Sequence, residues 1–173
     1  MLSLFSFART VAVAGAACRA PFCLGQNIDG NVNGQDGTQI TIAADGLTCT
    51  AATHGVIQAS AFSLAVTNAP GSGGGGASKP VFGDLEVQKE TDNCSLPLFV
   101  LSVNGATIKR VLLTEFNAAK KPALTITLDN ARVTGSRLGS PASPAQAGEK
   151  VSFSYGTATI TDAAGDTTGP LTQ

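Results

Sequence analysis

The chain has 173 residues, the length of one domain and enough to bury a core. Charged residues are only 13%, against roughly a quarter in an average domain. The 11 basic and 12 acidic residues are scattered for a net charge of -1, so no Lys/Arg cluster exists to neutralise phosphates, and no apolar run approaches the ~20 residues of a membrane span. Nucleic-acid binding therefore has no electrostatic footprint, no membrane-spanning helix is expected, and the many small residues suit a β-rich protein with frequent turns.

Residues 1–20 are apolar and alanine-rich, with small residues spaced as a signal peptidase requires at Ala12/Ala14, Ala14/Ala16 and Cys18/Ala20. This segment reads as an export signal, with an N-terminal arm packing on a neighbour as the other reading. The domain proper is 21–173. Cys18, Cys23, Cys49 and Cys94 lack C-x-x-C spacing, and His54 is the only histidine, so a metal site is not expected. In an oxidising compartment Cys49 and Cys94 are the pair expected to form a disulfide; buried free thiols are the alternative.

Asp29-Gly30, Asn33-Gly34 and Asp36-Gly37 are turn signals, and Thr38 to Ala43 alternates as a half-buried strand. After Asp45-Gly46, Leu47 to Ala51 is a candidate return strand. Val56 to Thr67 reads as one longer strand, with Ser60, Phe62, Leu64 and Val66 on one face and small residues on the other.

Asn68 opens a loop that no regular element can hold: Gly71, Ser72, Gly73, Gly74, Gly75, Gly76, Ser78, Lys79 and Pro80 lead directly into a strand over Val81 to Glu90. The run lacks the Gly-Lys-Ser/Thr ending of a phosphate loop and precedes a strand rather than a helix. Ser95 is expected to cap a short helix with Pro97 in its first turn, and Asn104-Gly105 to close it. Leu96, Phe99, Val100 and Val103 fall on one stripe, which is expected to pack on a sheet.

Strands are expected again over Thr107 to Phe116, Ala123 to Leu128 and Lys150 to Tyr155. The apolar parity switches after Asn130, to Ala131 and Val133, and after Gly156, to Ala158 and Ile160. The tail from Ala163 is polar and expected to fray. The fold class is mainly β, a two-sheet barrel or sandwich with one short flanking helix.

No catalytic constellation emerges, and no cofactor is expected. Asp84 and Glu86 lie about 7 Å apart on one strand face, the geometry of a solvated face more than of a glycosidase pair. No ordered Ser/His/Asp set surrounds His54, and Asn93-Cys94-Ser95 formally fits a glycosylation acceptor.

The run K-P-V-F-G-D-L-E-V-Q-K-E-T-D from Lys79 to Asp92 resembles the haemolysin-coregulated protein (Hcp) family, in which a glycine-containing loop leads into an F-x-D-L-x-x-x-K-x-x-D strand and a short helix. Asn27 to Gly30, Leu124 to Val133 and Glu149 to Tyr155 resemble three further family stretches in order and spacing. The resemblance implies a small β-barrel that is not an enzyme but a subunit of hexameric rings stacking into a hollow tube. In the type VI secretion machine that tube is internal, made in the cytoplasm and injected. An exported relative would build periplasmic or extracellular tubes or filaments. It further implies that Asn68 to Pro80 reaches toward a neighbouring copy, and that secretion cargo and sheath proteins are the other partners. A monomeric exported β-sandwich binding a glycan or protein is the competing reading.

Overall fold

A computed structural model describes residues 26–31, 39–47, 49, 56–67, 80–139 and 148–173. Among these the chain forms β1 Gln26–Asn31, β2 Gln39–Ala44, β3 Val56–Ala59, β4 Ala61–Thr67 and β5 Val81–Lys89, followed by helix α1 Ser95–Asn104. The second half holds β6 Thr107–Phe116, β7 Pro122–Leu138, β8 Glu149–Ser154, β9 Thr157–Asp162 and β10 Thr167–Thr172. All pairings are antiparallel. The order is β1-β4-β5-β8-β7-β6-β2-β3, with β9 joined to β7 and β10 to β9. The two layers of the barrel are thus parts of one continuous sheet that folds over at corners.

Those corners sit where the apolar parity breaks. Leu124, Ile126 and Leu128 are buried on β7 before Asn130, and Ala131 and Val133 after it. Asn130 has φ 53, a left-handed backbone that asparagine tolerates better than most residues. Before it β7 pairs with β9, and after it with β8. Gly156, between β8 and β9, donates its N–H to the Asp129 carbonyl at 3.0 Å. The two switches are one corner seen from two strands, and a Cβ on Gly156 would lie 3.4 Å from that of Asn130.

A second corner divides the stretch expected to be one strand. Ile57 and Ala59 are buried on β3, then Phe62 and Leu64 on β4, so the parity flips at Ser60. The Ser60 N–H and hydroxyl both donate to the Gln88 carbonyl, at 2.8 and 3.1 Å. This anchor lets β3 pair with β2 in one layer while β4 pairs with β1 and β5 in the other. The candidate return strand at Leu47 to Ala51 is not a strand at Leu47 or Cys49, and β2 pairs instead with β3 on one side and β6 on the other.

On β5 a register shift opposite Leu64/Val66 turns Phe82 toward the core and leaves Val81 63% exposed. The tail does not fray: β10 pairs with β9, Leu171 packs on the core, and the edge of β9 supplies the backbone partners that its composition hid. Leu64, Leu85, Leu113, Ile126, Leu128 and Phe153 from both layers form the centre of that core.

One core-facing position is charged. Glu115 continues the inward parity of Val111 and Leu113 on β6, pairs in register with Ile40 and Leu124, and is 8% exposed. Among the described residues no side-chain hydrogen bond or ion pair reaches its carboxylate, and burial pushes its pKa above the ordinary 4.5. Between the ordinary carboxyl value and the raised one the native state binds more of this proton than the unfolded chain does, so stability falls as pH rises through that window. Glu115→Gln is expected to stabilise the protein by about 1–2 kcal/mol at neutral pH and to flatten that decline. Urea midpoints measured in acid and at neutrality check this; an unchanged neutral midpoint counts against an unpaired carboxylate.

Candidate assembly surface

Helix α1 fills a seam in the barrel. Register pairing of β6 with β7 ends at Thr107↔Arg132, so the last part of β7 is paired only with β8, and α1 packs on β7. Gly105, with φ 60, closes the helix as a left-handed cap donating to the Leu101 carbonyl at 3.0 Å.

The start of the helix is fixed by charged groups that are buried. Lys89 and Glu149 are 1% and 2% exposed. The Lys89 ammonium lies 2.8 Å from Glu149 Oε2, 2.8 Å from Asp92 Oδ1, 2.6 Å from the Glu90 carbonyl and 3.1 Å from Ser95 Oγ. The Ser95 hydroxyl donates to Glu149 Oε2 at 2.5 Å and accepts from the Asp92 N–H at 2.9 Å. Ser95 is therefore not the helix cap. Cys94 holds that position without a side-chain cap bond, and Asp92 Oδ1 accepts the Cys94 N–H at 2.8 Å instead. A signal for this existed in the strand parity: Lys89 shares the inward face with Leu85 and Val87, and Glu149 shares it with Val151 and Phe153.

A second tether is covalent. Cys49 and Cys94 form a disulfide with Cα atoms 4.9 Å apart, joining the connection after β2 to the first turn of α1. Ion network and disulfide together set the rotation of the helix about its axis. Leu98 is 1% exposed and Leu101 packs on the core, whereas Leu96, Phe99, Val100 and Val103 are 67%, 40%, 45% and 70% exposed. The stripe expected to pack on the sheet faces solvent. The sequence SLPLFVLSVN is apolar on nearly every side, so periodicity finds two equivalent faces and the tethers decide which one is buried.

Other candidates are accounted for singly. Asp84 Oδ2 accepts the Thr134 hydroxyl at 2.6 Å, and Oδ1 accepts the Gln173 side-chain amide at 2.6 Å. Burial and then the Asp84 carboxylate push the Tyr155 hydroxyl up to about 12. Glu86 instead pairs with Lys150 at 2.7 Å, so the two carboxylates serve separate partners rather than a common substrate. The Ser95 hydroxyl of the glycosylation pattern is buried in the ion network. Among the described residues no group of three or more His, Cys, Asp or Glu is placed to hold a metal, and no helix is long and apolar enough to cross a membrane. Residues 1–20, Cys18, Cys23, His54 and the loop from Asn68 to Lys79 lie outside the described residues; Pro80, at the end of that loop, is exposed.

An apolar helix face with a shallow groove beside it forms a surface for contact. Residues 27–161 match a family model described as "Type VI secretion system effector, Hcp". None of the curated proteins matches the chain significantly. Among solved structures, Hcp1 from Salmonella typhimurium aligns with 76% of this chain and 91% of its own, at 19% identity and a TM-score of 0.61. A type VI secretion system effector from Yersinia pestis covers 71% and 88%, at 21% identity and 0.56. The secreted protein Hcp3 from Pseudomonas aeruginosa covers 76% and 94%, at 14% identity and 0.54.

Proposed function

The chain belongs to the Hcp family of type VI secretion system effectors, non-enzymatic tube proteins whose members form hexameric rings that stack into tubes, and from that premise we propose how its own surface serves assembly. Copies of the chain meet through the outer face of α1 and through the loop from Asn68 to Pro80. The observation that carries this reading is the exposed apolar stripe Leu96, Phe99, Val100 and Val103, on a helix whose start is tied by a disulfide at Cys94 and by hydrogen bonds from Ser95 to a buried ion pair. Apolar side chains set on one rigid element mark a contact site rather than ordinary surface.

The glycine-rich loop feeds β5, and its glycines permit a backbone conformation taken up only when a neighbour is present. Secretion cargo within the tube and sheath proteins around it are the further partners of this role. Deleting Gly73 to Gly76 is expected to leave the monomer folded while weakening ring stacking at least tenfold. Negative-stain microscopy of wild type and deletion across a concentration series tests it. Tubes of unchanged length in the deletion remove the loop from the contact, and wild type that forms no rings at high concentration sinks the self-assembly reading.

Residues 1–20 are proposed to be removed on export, leaving 21–173 as a single barrel domain in the periplasm or outside the cell. Their apolar, alanine-rich composition and the Cys49–Cys94 disulfide support an oxidising destination. Intact mass of the protein recovered from its native compartment decides the point, since an unprocessed Met1 terminus removes the signal reading.

A further inference from the structure

The outer face of α1 continues into a shallow groove of about 360 Å³, lined by Gly46, Leu47, Leu96, Pro97, Val100 and Leu101. Its two walls are the turn after β2 and the helix, and the Cys49–Cys94 disulfide ties them together: Cys49 lies two residues beyond Leu47 and Cys94 two residues before Leu96. No charged side chain lies on α1, so charge recruits no partner here and the complement must be apolar. The exposed stripe presents on the order of 400 Å², about half of the ~800 Å² per partner that a specific interface buries.

In a ring of identical subunits each contact joins two different surfaces of the same chain, one from each copy. The second surface must therefore be apolar, exposed and well separated from the helix. Away from α1 the most exposed large apolar side chain among the described residues is Val81, at 63%. It opens β5, whose other end, Lys89, is bonded to the start of α1. Eight residue steps of strand place Val81 about 26 Å from Lys89, at the opposite end of β5 from the start of α1.

We propose that the α1 face and groove of one copy receive the Val81 end of β5 of the next copy in a head-to-tail contact. This rests on the self-assembly reading and adds to it the two surfaces and their pairing. A contact of this kind propagates into a ring when the rotation closes and into a filament when it does not. The disulfide has a definite part, because it holds Leu47 in place as the wall of the groove facing the helix.

Sedimentation velocity on the full chain tests the pairing with Val100→Glu and Val81→Glu, both at exposed positions where the fold tolerates charge. Each variant alone is expected to remain monomeric at concentrations where wild type assembles, with at least a hundredfold loss of association. Mixed in equal amounts they are expected to form one-to-one dimers and stop, since each retains the surface that the other lacks. Leu96→Glu, also exposed, is expected to behave as Val100→Glu and serves if that variant fails to fold. Either variant assembling like wild type, or a mixture that stays monomeric, overturns the pairing. Monomeric wild type instead overturns self-assembly itself, so the two failures are distinguishable.

Discussion

Replacing Lys89 with methionine is expected to destabilise the protein by about 3–5 kcal/mol, because it strands a carboxylate away from water. The lysine is 1% exposed, and its ammonium is the only cation paired with Glu149 among the described residues, where the glutamate side chain is wholly buried. Glu149 Oε1 is already buried without a hydrogen-bond partner. Removing the lysine leaves that carboxylate with only the Ser95 hydroxyl, and the cost of an uncompensated buried charge falls on the junction of β5, β8 and α1. The double replacement Lys89→Met with Glu149→Leu is expected to recover most of the loss, because it removes both desolvation penalties together. Urea unfolding of wild type and the two variants checks this. A single-variant loss below about 1 kcal/mol, or a double variant no better than the single, means that the pair is not isolated from water.

Reducing the disulfide is expected to lower stability by about 2–4 kcal/mol. Cys49 and Cys94 are 45 residues apart in sequence, so the bond closes a long loop in the unfolded chain and removes much of its freedom. In the native state both cysteines belong to the core, at 5% and 1% exposure, so the loss appears as an earlier cooperative unfolding rather than fraying. The Cys49→Ala, Cys94→Ala variant should match the reduced protein, and wild type with and without a thiol reductant gives the difference directly. Superimposable unfolding curves in the two states would show that the tether adds nothing beyond the Lys89 network. The two tethers act on neighbouring residues, 94 and 95, so their effects are expected to be non-additive.

The part of the architecture legible without coordinates is the part governed by local periodicity. Alternation on β2, β6 and β8 places Ile40, Ile42, Val111, Leu113, Val151 and Phe153 inside because strand side chains alternate between faces. The breaks after Asn130 and at Gly156 are visible as changes of parity, and both prove to be one corner of the barrel. The break at Ser60 escapes notice because small residues on both sides blur the alternation. The motif F-x-D-L-x-x-x-K-x-x-D marks Lys89 and Asp92 in one segment, and the closing strand marks Glu149 in another. Nothing in either segment says that they meet, 60 residues apart, at the first turn of a helix.

What the amino-acid sequence determines by itself is therefore the strand pattern, the helix and its Gly105 stop, the absence of clustered charge and the family to which the chain belongs. Which face of that helix the protein keeps for itself is decided only in three dimensions. A helix apolar on nearly all sides has no intrinsic orientation, and its rotation follows from a disulfide at Cys94 and an ion pair reaching Ser95. Those contacts join residues far apart in the chain, so no local pattern encodes them. They turn Leu98 inward and leave Leu96, Phe99, Val100 and Val103 for a neighbour.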